Sequence, residues 1–427
     1  MTEVVVVGGG LAGLVAARTL SDRGADVTLF ERRETVGGRV RSRQVEGFTL
    51  DRGFQVLFTA YPAVRRELDL DALDLRTFPP GATLCRPGER STLSDPLRDP
   101  AAATATLFNH EVTLRDKLRV LALRRDLARK SPDVILSGGD TTIEAYLRGR
   151  GFSRQFVENF AAPFYGGITL DRSLSTSQAV FEYTFKMLAA GETAVPARGM
   201  GAIPAQLGTQ ARAVGVEVVT DRPVEAVEPE GADGTDAGVV VETPGETVAA
   251  DAAVVATDPP TARALTGVDT IPTDARSCVT QHLAVPATQE LQSGARILLN
   301  AADDRPNQVA PVSAAAPEYA PDGRQLLSAT FLGQQDADDD ALAAEVREAL
   351  ASWFPENQFA GLELLATDRV EFAQFDQPPG FRDRLPAVDA SDGPVYLAGD
   401  YTQWSSIQGA MASGRHAALT VDGSDGR

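Results

Sequence analysis

The chain has 427 residues, 43% of them hydrophobic, with 59 acidic against 40 basic side chains and a formal net charge of −19. That length exceeds one typical domain, and the apolar share is ample for more than one core. A surface this acidic repels phosphates and excludes nucleic acid as a partner, while Cys85 and Cys278 match no disulfide framework or metal spacing and fit free thiols in a reducing cytoplasm.

Val4 to Val7 form a β-branched run of the kind a strand buried on both faces requires. Gly8, Gly10 and Gly13 follow at G-x-G-x-x-G spacing, with Leu11 and Ala12 between them. One glycine makes the tight strand-to-helix turn, one lets backbone approach a pyrophosphate at the positive helix end, and one lets the helix lie close on the sheet. A helix is expected from about Ala12 to Asp22, stopping near Gly24, and a second strand over Asp26 to Phe30. Glu31 ends it, 18 residues beyond Gly13, near the ~20 expected of a carboxylate that holds a ribose hydroxyl. This order of strand, helix, strand and carboxylate reads as a dinucleotide site, and both FAD and NAD would satisfy it. The opening apolar run is too short to span a membrane and no signal peptide is visible, so the expected location is cytoplasmic.

Between Arg115 and Lys130 lie seven basic and two acidic residues, a net of +5 in a chain of −19. Such a helix can rest on an anionic membrane surface; the favoured alternative is a solvated helix packed by Leu118, Leu121 and Leu127. The stretch Phe160 to Leu170, FAAPFYGGITL, reads either as a core turn or as the wall of a substrate cavity with Tyr165 as its polar tip. The G-M-G-A-I-P after Arg198 is not a second fingerprint, because Pro204 replaces the third glycine and no apolar strand precedes it, so no dedicated nicotinamide domain is expected. The carboxylate run from Asp336 opens a helix in which Leu342, Val346, Leu350 and Trp353 recur at helical spacing, and its charges suit the helix dipole without any metal. His110, His282 and His416 are too scattered for a metal site or a triad, and no metal is expected. Lys117, Lys130 and Lys186 are the only lysines, so 37 of the 40 basic residues are arginine. Abundant carboxylates with so little lysine resemble the proteins of halophilic organisms that keep high salt in the cytoplasm.

After Glu31 the chain reads E-R-R-E-T-V-G-G-R-V-R-S, later TLDRGFQVL from Thr49, and near the end VYLAGDYTQWSSIQGAMASG from Val395. With these segments the chain resembles the superfamily of FAD-dependent amine oxidases, protoporphyrinogen oxidases and phytoene desaturases. The resemblance implies FAD as cofactor. It implies that Gly37 and Gly38 pass close to it, that Arg39 assists the pyrophosphate, and that Arg32 follows the ribose carboxylate. Asp51 with Gly53, Phe54 and Gln55 would run beside the isoalloxazine, and backbone near Val224 would meet adenine. Gly399 and Asp400 would form the second flavin motif, with Asp400 accepting from cofactor hydroxyls, and Ser406, Ile407 and Ala410 would start a helix aimed at the pyrimidine edge, where a positive end stabilises the reduced ring.

The implied fold is α/β: a Rossmann-type FAD-binding domain of the two-dinucleotide-binding, glutathione-reductase-like kind, with an inserted α+β substrate domain. The expected division is 1–70, 190–262 and 363–427 for the FAD-binding domain, and 71–189 and 263–362 for the substrate domain, the first insert being largely helical. Within the superfamily, amine oxidases place a lysine beside flavin N5, and no lysine follows Lys186. The resemblance therefore leans toward an oxidoreductase that desaturates a large apolar small molecule, such as a carotenoid precursor or porphyrinogen. An amine oxidase, an isomerase using reduced flavin, and a non-catalytic flavin-binding protein are the alternatives. The absence of a nicotinamide domain favours oxygen or a quinone as electron acceptor.

Overall fold

The computed structural model describes residues 1–230, 238–289, 291 and 293–423. At its centre a five-stranded sheet takes the order Glu217–Val219, Asp26–Phe30, Glu3–Val7, Ala252–Val255, Val395–Leu397, with every pairing parallel. Val4 to Val7 sit in the middle, paired on both sides and almost wholly buried, which is why that strand needs an unbroken valine run. The helix Leu11–Ser21 follows directly and packs against the C-terminal helix Ile407–Val421. Their approach is close enough that a Cβ at Gly414 would lie 2.0 Å from the carbonyl oxygen of Ala12. The first and last helices of the described chain thus share one layer over one sheet.

A seven-stranded sheet forms the second body, in the order Glu363–Phe375, Ala275–Pro286, Arg324–Leu332, Gln308–Ala310, Ile297–Asn300, Ala82–Arg86, Glu89–Leu93. The helix Asp339–Trp353 covers it, burying Leu342, Val346, Leu350 and Trp353 against Val279, Leu283 and Phe331, as the spacing of those four residues leads one to expect. The first insert is less purely helical than its composition suggests. It opens with strands Leu75–Phe78, Ala82–Arg86 and Glu89–Leu93, and the last two complete the seven-stranded sheet. Helices then run from Leu114–Arg129 to Gln178–Ala190 and stand over the opening between the two sheets.

The helix Leu114–Arg129 begins with a reciprocal cap: Thr113 Oγ1 accepts from the Asp116 amide and Asp116 accepts from the Thr113 amide. Its packing corrects the expected seam. Leu123 and Leu127 are buried, whereas Leu118 and Leu121 are 60% and 43% exposed. Periodicity marks an apolar face, but two apolar stripes fit this helix and only one of them meets protein.

Candidate functional site

One continuous cavity of about 1200 Å³ runs from the glycine turn of the parallel sheet, past both termini's motifs, to the helical insert. Gly8, Gly10, Leu11, Ala12, Glu31, Arg32, Gly37, Gly38, Arg39, Gly53, Phe54, Gln55, Val224, Gly399, Asp400, Ser406, Ile407, Ala410 and Tyr165 all line it. Gly13 does not. It lies one turn into the helix, where a Cβ would come 1.9 Å from the Gly8 carbonyl oxygen, so its task is helix-to-turn packing.

The turn is a cradle with room left in it. Gly8 has φ +106° and its missing Cβ would press on the Ala256 carbonyl at 2.9 Å. Gly10, the N-cap of the first helix, has no side-chain cap, and a Cβ there would meet nothing within 4 Å. The uncapped amides of that helix therefore open into the cavity, an arrangement suited to a pyrophosphate. Glu31 is 4% exposed, and its carboxylate accepts from the amides of Gly9 at 2.8 Å and Arg33 at 3.0 Å. It fastens the turn to the second strand while still facing the cavity, a double duty the spacing alone does not reveal.

The two termini meet in an ion pair. Arg39 donates to Asp400 Oδ1 at 2.6 Å and to the Ala373 carbonyl at 3.1 Å, and Ser405 donates to Asp400 Oδ2 at 2.8 Å. Burial works against the Arg39 charge, but the adjacent carboxylate outweighs it and holds the guanidinium more firmly protonated than usual. Gln55 donates to the carbonyls of Arg39 and Arg52, tying the Gly53–Gln55 segment to the same corner. Arg33, Arg52 and Arg222, which no sequence motif marks, also line this end. Burial, Arg32 and then Arg52 lower the pKa of Arg33, so positive charge is concentrated there and suits an anionic ligand. Asp258, also in the wall, pairs with Arg32 at 3.1 Å and caps the helix Pro259–Thr266 through the Thr261 amide. Its signal was present in the sequence as an Asp-Pro pair closing a strand.

Behind Gly53 lies a partly buried polar relay. Asp368 Oδ2 accepts from the Gly53 amide at 3.2 Å and meets His282 Nε2 at 3.1 Å, Oδ1 accepts from Arg43 at 2.7 Å, and His282 Nδ1 meets Ser328 Oγ at 3.1 Å. Burial raises the Asp368 pKa, but the hydrogen bonds from His282 and Arg43 dominate and bring it down to about 2. A carboxyl depressed on folding stabilises the fold above its unfolded pKa and loses that contribution as pH falls through the folded value. Unfolding followed by circular dichroism should thus show a loss of stability between about pH 4 and about pH 2 that Asp368→Asn removes; an unchanged acid profile in that variant would refute the assignment.

The far arm of the cavity is apolar. Phe152, Phe156, Phe160 and Phe164 form a ladder with successive ring centroids 4.5, 5.5 and 5.2 Å apart, and Tyr165 packs on Phe181 at 4.6 Å. The four-residue phenylalanine spacing was visible in the sequence; the stretch from Phe160 was read as cavity wall or core turn, and the structure makes it wall. At the mouth, Leu107, Leu114, Leu118 and Leu121 line the opening with large parts of their surfaces exposed, and Leu97 and Phe108 are exposed nearby. Among the described residues no cluster of three or more His, Cys, Asp or Glu side chains is arranged to hold a metal, and no helix is long and apolar enough to cross a membrane.

Comparison with known proteins agrees with this geometry. Residues 11–421 match the family model of flavin-containing amine oxidoreductases. A carotenoid 3,4-desaturase of Haloarcula japonica is 53% identical over 51 residues, 12% of this chain and 10% of the relative. The zeta-carotene-forming phytoene desaturase of Myxococcus xanthus is 29% identical over 290 residues, 60% of this chain and 54% of the relative. The chain thus spans about half or less of the length of these curated relatives. An oxidoreductase of Methanosarcina mazei superposes with a TM-score of 0.72 at 20% identity over 98% of this chain and 100% of that one, a likeness of fold. With a family match across nearly the whole chain and a cradle whose open glycine edge, helix ends and arginines fit FAD, the protein belongs to the flavin-containing amine oxidoreductases.

Proposed function

We propose that the protein is an FAD-dependent oxidoreductase that desaturates or aromatises a large apolar substrate. The observation that carries this is the single cavity joining the dinucleotide cradle to the phenylalanine-lined arm. FAD bound in the cradle supplies a hydride acceptor at N5. The chain's own residues bind and orient: the open glycine edge and the helix at Leu11 hold the pyrophosphate, Glu31 faces the ribose, Val224 the adenine, and the helix at Ile407 presents its amides to the ring, with Ser406 capping it through the Gly409 amide at 2.8 Å. The aromatic ladder excludes water and lays a hydrocarbon skeleton along the cavity. Among the described residues no lysine lines the cofactor end, since Lys117 sits at the mouth, bonded to the carbonyls of Leu107 and Asn109. That favours apolar substrates over amines.

The test is anaerobic bleaching of the bound flavin by porphyrinogens, carotenoid precursors and polyamines offered in parallel. Rapid reduction by an apolar precursor and none by polyamines is expected. Preferential reduction by a polyamine would reinstate the amine-oxidase reading. Activity only after dithionite reduction would indicate an isomerase, and no reduction by any compound would indicate a binding protein.

We assign the parallel sheet to a Rossmann-type FAD-binding domain built from 1–70, 190–262 and the C-terminal segment, and the seven-stranded sheet with the helical insert to the substrate domain. The last junction is better placed after Phe375 than at 363, since Glu363–Phe375 pairs along Ala275–Pro286. The acidic, lysine-poor composition supports a cytoplasm of high salt.

The mouth suits an anionic bilayer as the source of substrate. Exposed Leu114, Leu118 and Leu121 line the opening on the helix Leu114–Arg129, whose sequence together with the following Lys130 carries +5 in a chain of −19. Each basic side chain near such a surface contributes about 1 kcal/mol, but at ~1 M salt the Debye length falls to about 3 Å, so in brine the apolar residues must do the binding. Wild-type protein should sediment with phosphatidylglycerol vesicles in both low and high salt, and the double variant Leu118→Glu, Leu121→Glu should lose at least tenfold in partition, from about 1.5–3 kcal/mol per buried leucine. Equal sedimentation of wild type and variant would remove the membrane from the account.

A further inference from the structure

The apolar arm holds two hydroxyls without partners. Tyr165 lines the cavity with 3% of its surface accessible, its ring fixed between Phe164 and Phe181, and its hydroxyl bonds to no described group. Three other buried tyrosines are partnered: Tyr319 donates to Asp51, Tyr401 to the Val255 carbonyl and Tyr146 to Glu182. Thr184, 1% exposed and also in the cavity wall, has a buried Oγ1 with no partner, although a helical threonine ordinarily turns back to a carbonyl of the preceding turn. It stands one turn beyond Phe181 on the helix Gln178–Ala190, on the face against which Tyr165 packs. Tyr61 and Tyr183, also without a hydroxyl partner among the described residues, pack instead in the aromatic group of Phe58 and Trp404 at the cofactor end. Buried polar groups in folded proteins are satisfied, and of the Tyr165 and Thr184 hydroxyls only that of Tyr165 is not sealed off from the cavity, so in an arm faced largely by phenylalanine and leucine it calls for a ligand atom.

We propose that this arm recognises one oxygen function, a hydroxyl or carbonyl carried on an otherwise apolar skeleton, through Tyr165 as donor. The proposal rests on the reading that the cavity takes a large apolar substrate, and narrows it: a pure hydrocarbon leaves the Tyr165 hydroxyl stranded, whereas an oxygenated skeleton satisfies it. Burial pushes the Tyr165 phenol far up in pKa, so it keeps its proton and acts as a donor. A carbonyl oxygen and a hydroxyl oxygen can each accept from Tyr165.

The test uses the FAD-loaded protein and three probes of one skeleton: geranylgeraniol, its aldehyde, and the hydrocarbon lacking the oxygen, with dissociation constants read from perturbation of the flavin absorption. Both oxygenated probes should bind about tenfold tighter than the hydrocarbon, one hydrogen bond's worth. Tyr165→Phe, which keeps the ring and its packing, should erase that advantage and leave hydrocarbon binding unchanged. Equal binding of all three probes, or an equal loss for all three in Tyr165→Phe, overturns the proposal while leaving an apolar-substrate enzyme. Failure of all three to bind overturns the apolar-substrate reading itself.

Discussion

Gly10→Val should yield a protein that folds as well as the wild type and holds FAD far more weakly. The backbone at Gly10 has φ −75° and ψ −179°, which any residue adopts, and a Cβ there meets no protein atom within 4 Å. The added side chain fills only the space the pyrophosphate needs. Overpacking of a fitted site costs about 1–3 kcal/mol or more, so FAD affinity should fall by about 10- to 100-fold or further. Gly13→Val is the counterpart. Its Cβ would stand 1.9 Å from the Gly8 carbonyl oxygen, backbone against backbone, so the helix must lift off the turn and the apo protein itself should lose about 3 kcal/mol or more. Apo melting temperature and FAD dissociation constant, measured on both variants, separate the two roles of one motif. If Gly10→Val binds FAD normally, the open edge at Gly10 is not the phosphate side of the cradle.

How much of this was legible in the sequence follows from which interactions are local. The strand Val4–Val7, the helix after Gly10, the strand ending at Phe30 and the carboxylate of Glu31 were readable because each is imposed by its own residues: a two-sided burial pattern, an N-terminal glycine turn, a strand end. The helix Asp339–Trp353 was readable from its four buried residues for the same reason. The strands within 75–93 were not, because Ala82–Arg86 pairs with Ile297–Asn300 more than two hundred positions away and Leu75–Phe78 with Thr193–Pro196 more than a hundred away. Leu118 and Leu121 were misjudged because amphipathicity names a face without naming what lies against it. The relay of Asp368 and His282 behind Gly53 joins three segments that have no common motif, and resemblance offers no guide to it.

The pairing of Arg39 with Asp400 spans 361 positions and was likewise invisible, yet it is where the two halves of the site are bolted together, so its removal should be felt twice. In Asp400→Ala, Arg39 loses its carboxylate and Ser405 loses its acceptor in a place where Asp400 is 3% exposed. Breaking a fully buried pair from one side costs about 3–5 kcal/mol. Arg39 keeps 30% of its side chain accessible, so water screens part of that loss and about 2 kcal/mol is expected. FAD affinity should fall by about 10- to 100-fold, because the corner formed by Arg39, Gln55 and the helix at Ile407 no longer holds its shape. Asp400→Asn retains an acceptor and should lose less of both. A double-mutant cycle with Arg39→Met identifies the mechanism: if the pair is the bolt, the two single losses should fail to add, with a coupling of about 1–2 kcal/mol in apo stability. Additive losses would mean that each residue acts on the cofactor separately, and unchanged FAD affinity in Asp400→Ala would mean that the C-terminal motif is not the second wall of the site.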